Sequence, residues 1–131
     1  MFIDASALCS MLTNEDDARE LLARLQRSPR RITSPLAVWE TVINVARILD
    51  IPLPDMRKAV EDYLELMSIQ VLEVPPETAA IAIDAFDRYG KRRHPADLNF
   101  GDCFAYACAR HYRVPLLFKG NDFPQTDIEA A

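Results

Sequence analysis

The feature that most constrains this 131-residue chain is the alternation of short apolar runs with longer helical patterns. Four short segments rich in apolar or β-branched residues are predicted strands: Met1–Asp4, Arg31–Thr33, Ile69–Val74 and Val114–Phe118. Helices fill the intervals, in places two to a crossover. Strands that alternate with helices predict an α/β fold, with a mainly parallel central sheet of four or five strands covered on both faces.

Capping and helix-breaking residues set the expected helix ends. We predict helices over Ala5–Leu12, from Ser34-Pro35 to about Leu49, from Pro54 or Asp55, and from about Glu77 to Tyr89. We also expect Asn14 to cap a second helix. The tail, residues 126–131, carries no pattern and is expected to fray.

The most apolar helix is predicted to follow Asn99, since every residue from Cys103 to Ala109 is apolar or aromatic. Such a run is typical of a helix buried on most sides. With Asn99 as the N-cap, Asp102 lies in the first turn, where unpaired N–H groups and the helix dipole favour a carboxylate. Taken alone, Asp102 is explained at least as well by capping as by function.

Composition narrows the class of protein. Half of the residues are hydrophobic and only three are glycine, which indicates one globular domain, residues 1–131. The formal charge of −5 argues against indiscriminate nucleic-acid binding. No apolar run approaches the roughly 18 residues of a membrane span, and no signal peptide is visible. Three cysteines without CxxC spacing suit a reducing cytoplasm and argue against structural zinc.

Four acidic residues stand where an apolar run meets a turn. Asp4 ends the first strand, Asp122 follows the last, and Glu40 and Asp102 lie early in helices that follow strands. Because ligands of parallel sheets bind beyond the carboxyl ends of the strands, we expect the four acids to converge there. Crowded carboxylates need protons or a cation, and an oxygen-only set favours Mg²⁺ or Mn²⁺. Such an ion can activate a water and stabilise the leaving oxygen of a phosphodiester.

The order of these motifs resembles a known family. Asp4-Ala5-Ser6, Glu40, Asn99-Phe100-Gly101-Asp102 and Gly120-Asn121-Asp122-Phe123 look like the acidic motifs of PIN domains, and within them of the VapC toxins of bacterial toxin–antitoxin pairs. The resemblance covers nearly the whole chain. It implies a PIN-like α/β/α sandwich and a metal-dependent endoribonuclease. It also implies RNA as the substrate, a cognate antitoxin as inhibitor, and a homodimer.

Carried over by position, the resemblance implies site residues. Asp4, Glu40, Asp102 and Asp122 would be the catalytic and metal-binding acids, with Ser6 and Asn121 in support. Many members carry another acid where this chain has Gly120, so we expect a leaner metal site on that side.

Two sequence clusters offer binding surfaces. Lys91, Arg92 and Arg93 lie just upstream of Asp102 and are candidates for steering RNA. A solvated loop with no role is the alternative, and Arg27, Arg30 and Arg31 form a second basic cluster. An antitoxin arginine would suit the acidic pocket. The apolar face formed by Leu21, Leu22 and Leu25 is either a partner surface or ordinary core.

Three other functions compete with the nuclease. A catalytically silent domain of the same fold could bind a protein partner. An aspartyl-phosphate magnesium phosphatase needs Asp-x-Asp near the N-terminus, where this chain has Ser6 as the second member. A receiver domain needs an acceptor Asp after a middle strand, where Val74 is followed by Pro75.

Overall fold

The structure, a computed structural model, describes residues 1–131. The elements in chain order are β1 (Phe2–Ile3), α1 (Ala5–Thr13), α2 (Ala18–Arg27), β2 (Ile32–Thr33), α3 (Pro35–Leu49), α4 (Leu53–Leu66), β3 (Gln70–Val71), α5 (Thr78–Tyr89), α6 (Phe100–Tyr112), β4 (Leu116–Leu117) and a closing 3₁₀ turn (Phe123–Gln125). None of the helices combines the length and hydropathy that a membrane crossing requires.

The four strands form one parallel sheet in the order β3-β2-β1-β4. Phe2 stands opposite Ile32 on one side and Leu116 on the other, and Ile3 stands opposite Leu117. The predicted α/β fold with a mainly parallel sheet is therefore confirmed, with four strands rather than five. The regular strands are shorter than predicted, at two residues each.

Side-chain alternation along the strands divides the core into two layers. Phe2 and Leu116 point into a cluster shared with α5 and α6. Ile3 and Leu117 point into a cluster shared with α1, α2, α3 and α4. Two adjacent positions on each central strand thus serve opposite faces, which produces the α/β/α sandwich.

The predicted caps of the two helices that carry Glu40 and Asp102 are present. Ser34 Oγ accepts a hydrogen bond from the Ala37 N–H at 3.2 Å, and Pro35 opens α3. Asn99 and Asp102 form a reciprocal capping box at the start of α6. These local interactions fix where the two helices begin, and hence where their acids lie.

Two expectations about chain ends and helix ends are wrong. Asn14 ends α1 in a left-handed conformation (φ 53°), and α2 begins at Ala18 instead. Asparagine tolerates that conformation better than most residues, which suits it to a helix end. The tail does not fray, since the Ala131 N–H donates to the Leu116 carbonyl at 2.9 Å and the Leu116 N–H donates to the Glu129 carbonyl.

Candidate active site

A cleft of about 340 Å³ opens where β1 ends and the chain leaves β4. Three of the four predicted acids line it, namely Asp4, Glu40 and Asp102. They come from three different elements: the end of β1, the body of α3 and the first turn of α6. Because β1 and β4 are neighbours whose connections leave in different directions, this is the switch point at which α/β sheets bind ligands.

Asp4 is the most enclosed of the three, with 5% of its surface exposed. It is the N-cap of α1, and its Oδ2 accepts hydrogen bonds from the Ser6 N–H at 3.1 Å and the Ser6 hydroxyl at 2.5 Å. Burial raises the pKa of Asp4 above its usual value, and the two Ser6 hydrogen bonds oppose that rise.

Ser6 also ties this acid to the loop after β4. Its Oγ accepts a hydrogen bond from the Lys119 backbone N–H at 3.0 Å, across 113 residues of chain. The Lys119 ammonium group points elsewhere and pairs with Glu15 and, at 3.7 Å, with Asp17. The Lys119 charge is therefore balanced by Glu15 and Asp17 at the rim of the cleft and not by Asp4. The contact that the resemblance implies for Ser6 is present, and its role in catalysis stays a prediction.

Glu40 has no hydrogen-bond or ion-pair partner for its carboxylate. The backbone of Gly101 lies directly against it, and a Cβ on Gly101 would stand 2.2 Å from Glu40 Oε1. Desolvation, followed by repulsion from Asp4 and Asp102, raises the pKa of Glu40 to about 7. Gly101 is thus the residue that lets α6 approach α3 at the acids.

Asp102 combines capping with a position in the cleft. Its Oδ2 accepts from the Asn99 N–H at 3.0 Å, while Oδ1 has no hydrogen-bond partner within the protein. Desolvation raises the pKa of Asp102 to about 6 against the opposing Asn99 hydrogen bond, and Asp4 and Asp122 add to the rise. Capping and function are therefore compatible for this residue.

The fourth acid lies at the margin. Asp122 and Asn121 are exposed and do not line the cleft, although the Asp122 charge acts on Asp102. Gly120 has φ +101°, a conformation that side chains with a Cβ rarely adopt. The conformation of this turn therefore suits glycine at position 120.

The donor set fits a hydrated hard cation better than a closed cage. No group of three Asp, Glu, His or Cys side chains is arranged so that it could hold a metal ion. Mg²⁺ in proteins is often held by one or two carboxylates and keeps several waters. Desolvated carboxylates that repel one another, with no cation paired to them, provide the negative potential that such an ion requires.

The basic candidates differ in how free they are. Lys91 and Arg92 are exposed and form no side-chain ion pair, whereas Arg93 pairs with Asp87 at 2.7 Å. In the second cluster, Arg31 donates to the carbonyls of Ser28, Met67 and Gln26. The Arg31 side chain therefore cross-links three backbone carbonyls at the start of β2. The charges of Lys91 and Arg92 are free to contact an external anion.

Of the two alternatives for the α2 leucines, the structure supports core. Leu21 and Leu25 are buried. Exposed apolar surface lies elsewhere: one patch between α3 and α4 includes Trp39 and Leu53, and another between α5 and α6 includes Phe100. Trp39 directly precedes Glu40, and Phe100 lies two residues before Asp102, so their sequence positions alone place them beside the site.

Two further residues that sequence reasoning missed line the cleft. Asn44 and Arg47 follow Glu40 on α3 at i+4 and i+7, the spacing that places residues on one helix face. That spacing alone would have identified them once Glu40 was assigned to the site.

The PIN domain family matches residues 1–129 of this chain. The chain belongs to the PIN domain family. A VapC ribonuclease of Rhizobium meliloti (strain 1021) is 35% identical, with 97% of this chain and 98% of the relative covered. The ribonuclease VapC of Mycolicibacterium smegmatis is 39% identical, with 99% and 98% covered. The family that the motifs predicted is confirmed.

Solved structures agree on the fold of this PIN domain. The crystal structure of Mycobacterium tuberculosis VapC20, described as a sarcin–ricin loop cleaving toxin, superimposes with a TM-score of 0.75 at 18% identity. It covers 99% of this chain and 97% of that one. A toxin–antitoxin complex from Klebsiella pneumoniae gives 0.68 at 16% identity, with 96% and 92% covered. At these identities the likeness supports the PIN-fold sandwich and nothing finer.

Proposed function

We propose that this chain is a Mg²⁺- or Mn²⁺-dependent endoribonuclease that acts as the toxin of a toxin–antitoxin pair. The ribonuclease part is supported by full-length relatives, 35% and 39% identical, that are VapC ribonucleases. The metal dependence and the site residues are supported by the chemistry of the cleft.

One observation carries the proposal: the carboxylates of Asp4, Glu40 and Asp102 come from three elements and share one cleft, and none of the three is paired with a cation, whereas Glu15 at the rim pairs with Lys119. The chain contains 15 lysines and arginines, yet no ion pair reaches Asp4, Glu40 or Asp102. Uncompensated desolvated carboxylates cost folding free energy, so their persistence points to a ligand of opposite charge.

One or two of Asp4, Glu40 and Asp102 would contact the metal directly and the rest through its bound waters, with Asp122 contributing charge from the margin. When bound, a divalent cation supplies the Lewis acidity that activates a water and stabilises the leaving oxygen of a phosphodiester. The protein's part is to fix the acids: Ser6 orients Asp4, the capping box orients Asp102, and the missing Cβ of Gly101 makes room for Glu40.

The direct test is cleavage of RNA by the purified chain, freed of any partner. We expect cleavage with Mg²⁺ or Mn²⁺, none with EDTA, and none with Asp4→Asn. Asp84→Asn, a change to an exposed carboxylate of α5 outside the cleft, is the matched control and retains activity. Cleavage that survives EDTA would contradict the metal dependence.

Partners and location complete the proposal. An antitoxin is expected to cover the apolar patch between α3 and α4 and to reach the acids with an arginine. A homodimer would use the patch between α5 and α6. Light scattering of the isolated chain tests the dimer, and a strict monomer at micromolar concentration would remove it.

The three cysteines form no disulfide, which suits a protein of the reducing cytoplasm.

A further inference from the structure

The wall of the cleft formed by α3 carries polar groups beyond the acids. Glu40, Asn44 and Arg47 share one face of α3, and all three line the cleft. A helix rises 1.5 Å per residue, so Arg47 lies about 10 Å along the axis from Glu40. The wall of the cleft formed by α3 therefore carries an acid at Glu40 and a cation at Arg47.

Arg47 has no partner within the protein. It forms no ion pair and no hydrogen bond, although carboxylates line the same cleft. Lys119, the other cation lining the cleft, is already engaged by Glu15 and Asp17. Arg47, an exposed residue in the last turn of α3, thus does not pair with the acids.

Asn44 occupies the turn between Glu40 and Arg47. Its half-buried amide lines the cleft and has no hydrogen-bond partner in the protein. An amide offers two donors and an acceptor, and a guanidinium offers a planar fork that matches two oxygens of a phosphate. The pair therefore suits the backbone of a polyanion lying along α3.

We propose that Arg47, assisted by Asn44, holds the RNA strand by binding a phosphate next to the one that is cleaved. Arg47 follows Glu40 by two turns on the same face of α3, so an RNA strand that runs along α3 from the acids meets Arg47 after the cleaved phosphate. The inference rests on the proposed endoribonuclease function and names the residues that position its substrate.

Steady-state cleavage of an RNA oligonucleotide with Mg²⁺ tests the proposal. Arg47→Ala is expected to raise KM roughly tenfold, the scale of a hydrogen bond to a charged group, with kcat within about twofold. Arg47→Lys should recover part of the loss, because it restores the charge without the fork. Asn44→Ala should raise KM by less. Arg57→Ala, which removes the same charge from α4 outside the cleft, should match the wild type.

Salt dependence gives a second readout that a structural defect would not change in the same way. In an Asp4→Asn background, which does not cleave, Arg47→Ala should reduce the slope of log K against log salt by about 0.7, one phosphate contact. Circular dichroism melting of each variant checks that the fold is retained.

Distinct outcomes overturn distinct claims. If the wild type cleaves RNA while Arg47→Ala matches Arg57→Ala in KM and in salt slope, only this inference fails. A fall in kcat with KM unchanged also overturns it. If Arg47→Ala spares RNA binding but abolishes self-association in light scattering, Arg47 belongs to a protein interface instead. A wild type that neither cleaves nor binds RNA removes the proposed function, and this inference with it.

Discussion

Two carboxylates lie against α6: Asp102 in its first turn, and Asp127 of the tail beside its second half. Asp102 is paired with no cation, whereas Asp127 is paired with arginines. At the start of α6, desolvation and neighbouring acids raise the pKa of Asp102 to about 6. Near its end, the Asp127 carboxylate accepts from the Tyr106 hydroxyl at 2.6 Å and pairs with Arg110 at 2.9 Å and Arg88 at 3.3 Å. These contacts, the Tyr106 hydrogen bond foremost, hold the pKa of Asp127 at about 2.

The contrast separates a carboxylate that is paired within the protein from carboxylates that are not. We call Asp127 with its partners Arg88, Tyr106 and Arg110 the Asp127 clamp. The clamp joins the tail to α5 and α6, and its two arginines balance the charge of the Asp127 carboxylate. The charges of Asp4, Glu40 and Asp102 are uncompensated, which lowers stability unless a cation binds from outside. The pKa of the unpaired Asp102 is therefore raised, whereas the pKa of the paired Asp127 is lowered.

The largest effect expected from this comparison is on catalysis. Asp102→Asn should reduce RNA cleavage by roughly 100-fold or more, the scale of losing one electrostatic partner of a transition state. The asparagine can still accept the capping hydrogen bond from Asn99, so the fold should persist. Removing a repelled charge should even raise the melting temperature of the metal-free protein.

Asp127→Asn is the matched change at the other end of α6. It should leave cleavage intact and destabilise the protein by about 1–2 kcal/mol, through weaker hydrogen bonds to a partly exposed carboxylate. Urea denaturation and cleavage assays on both variants decide the matter. Equal activity in Asp102→Asn and the wild type would contradict the assignment of the cleft.

The next effect tests Gly101, where the cleft depends on a missing Cβ. Gly101→Ala should lower cleavage by about 10- to 100-fold, because the Glu40 carboxylate must move away from its present position. Stability should hold or improve, since alanine favours a helix and the displaced atoms end a flexible side chain. At Gly90 a Cβ would meet the Phe86 carbonyl at 2.3 Å, so Gly90→Ala should lose stability instead. Unchanged cleavage in Gly101→Ala would show that the position of Glu40 is unimportant.

Local sequence signals predicted the parts of the molecule that local interactions determine. The caps at Ser34 and Asn99 act over three residues, and the strand–helix alternation follows from short apolar runs. The fold class and the family were predicted from these features, and the sheet topology and the match to the PIN domain family confirm them. Three of the four predicted acids do share a cleft, while their catalytic role stays a prediction.

Long-range contacts account for what sequence reasoning missed. The Ser6–Lys119 hydrogen bond joins the two ends of the chain, and the Asp127 clamp reaches back 21 residues to Tyr106. Neither contact leaves a local sequence pattern, so the tail was expected to fray. The exposure of Trp39 likewise depends on what packs against α3, because an apolar residue is equally consistent with core and with surface.

Metal binding should stabilise the cleft and leave the clamp unaffected. A cation that binds only the folded chain raises the free energy of unfolding by RT ln(1 + [L]/Kd), about 2.7 kcal/mol at a hundredfold excess over Kd. We expect Mg²⁺ or Mn²⁺ to raise the melting temperature of the wild type and of Asp127→Asn, but not of Asp102→Ala. Scanning calorimetry over a metal titration measures the shift. A wild type that shows no shift at millimolar metal would contradict a metal site in the isolated chain.

The smallest effect is the dependence of stability on pH, and its sign should differ between the two carboxylate sites. For Glu40, the ordinary pKa near 4.5 rises to about 7 in the folded protein, so between these values the folded state binds more protons than the unfolded state. Stability of the metal-free protein should therefore fall as pH rises from about 4.5 to 7.

For Asp127, the pKa drops from 3.8 to about 2, so its contribution is present above 3.8 and is lost as pH falls toward 2. Urea denaturation in EDTA should show a flatter neutral-range slope in Glu40→Gln and a weaker acid-range loss in Asp127→Asn. Saturating Mg²⁺ should reverse the neutral-range slope, because the cation binds the ionised carboxylates and competes with protons. A Glu40→Gln variant whose stability follows the wild type from pH 5 to pH 8 would show that its carboxylate is not desolvated as the cleft implies.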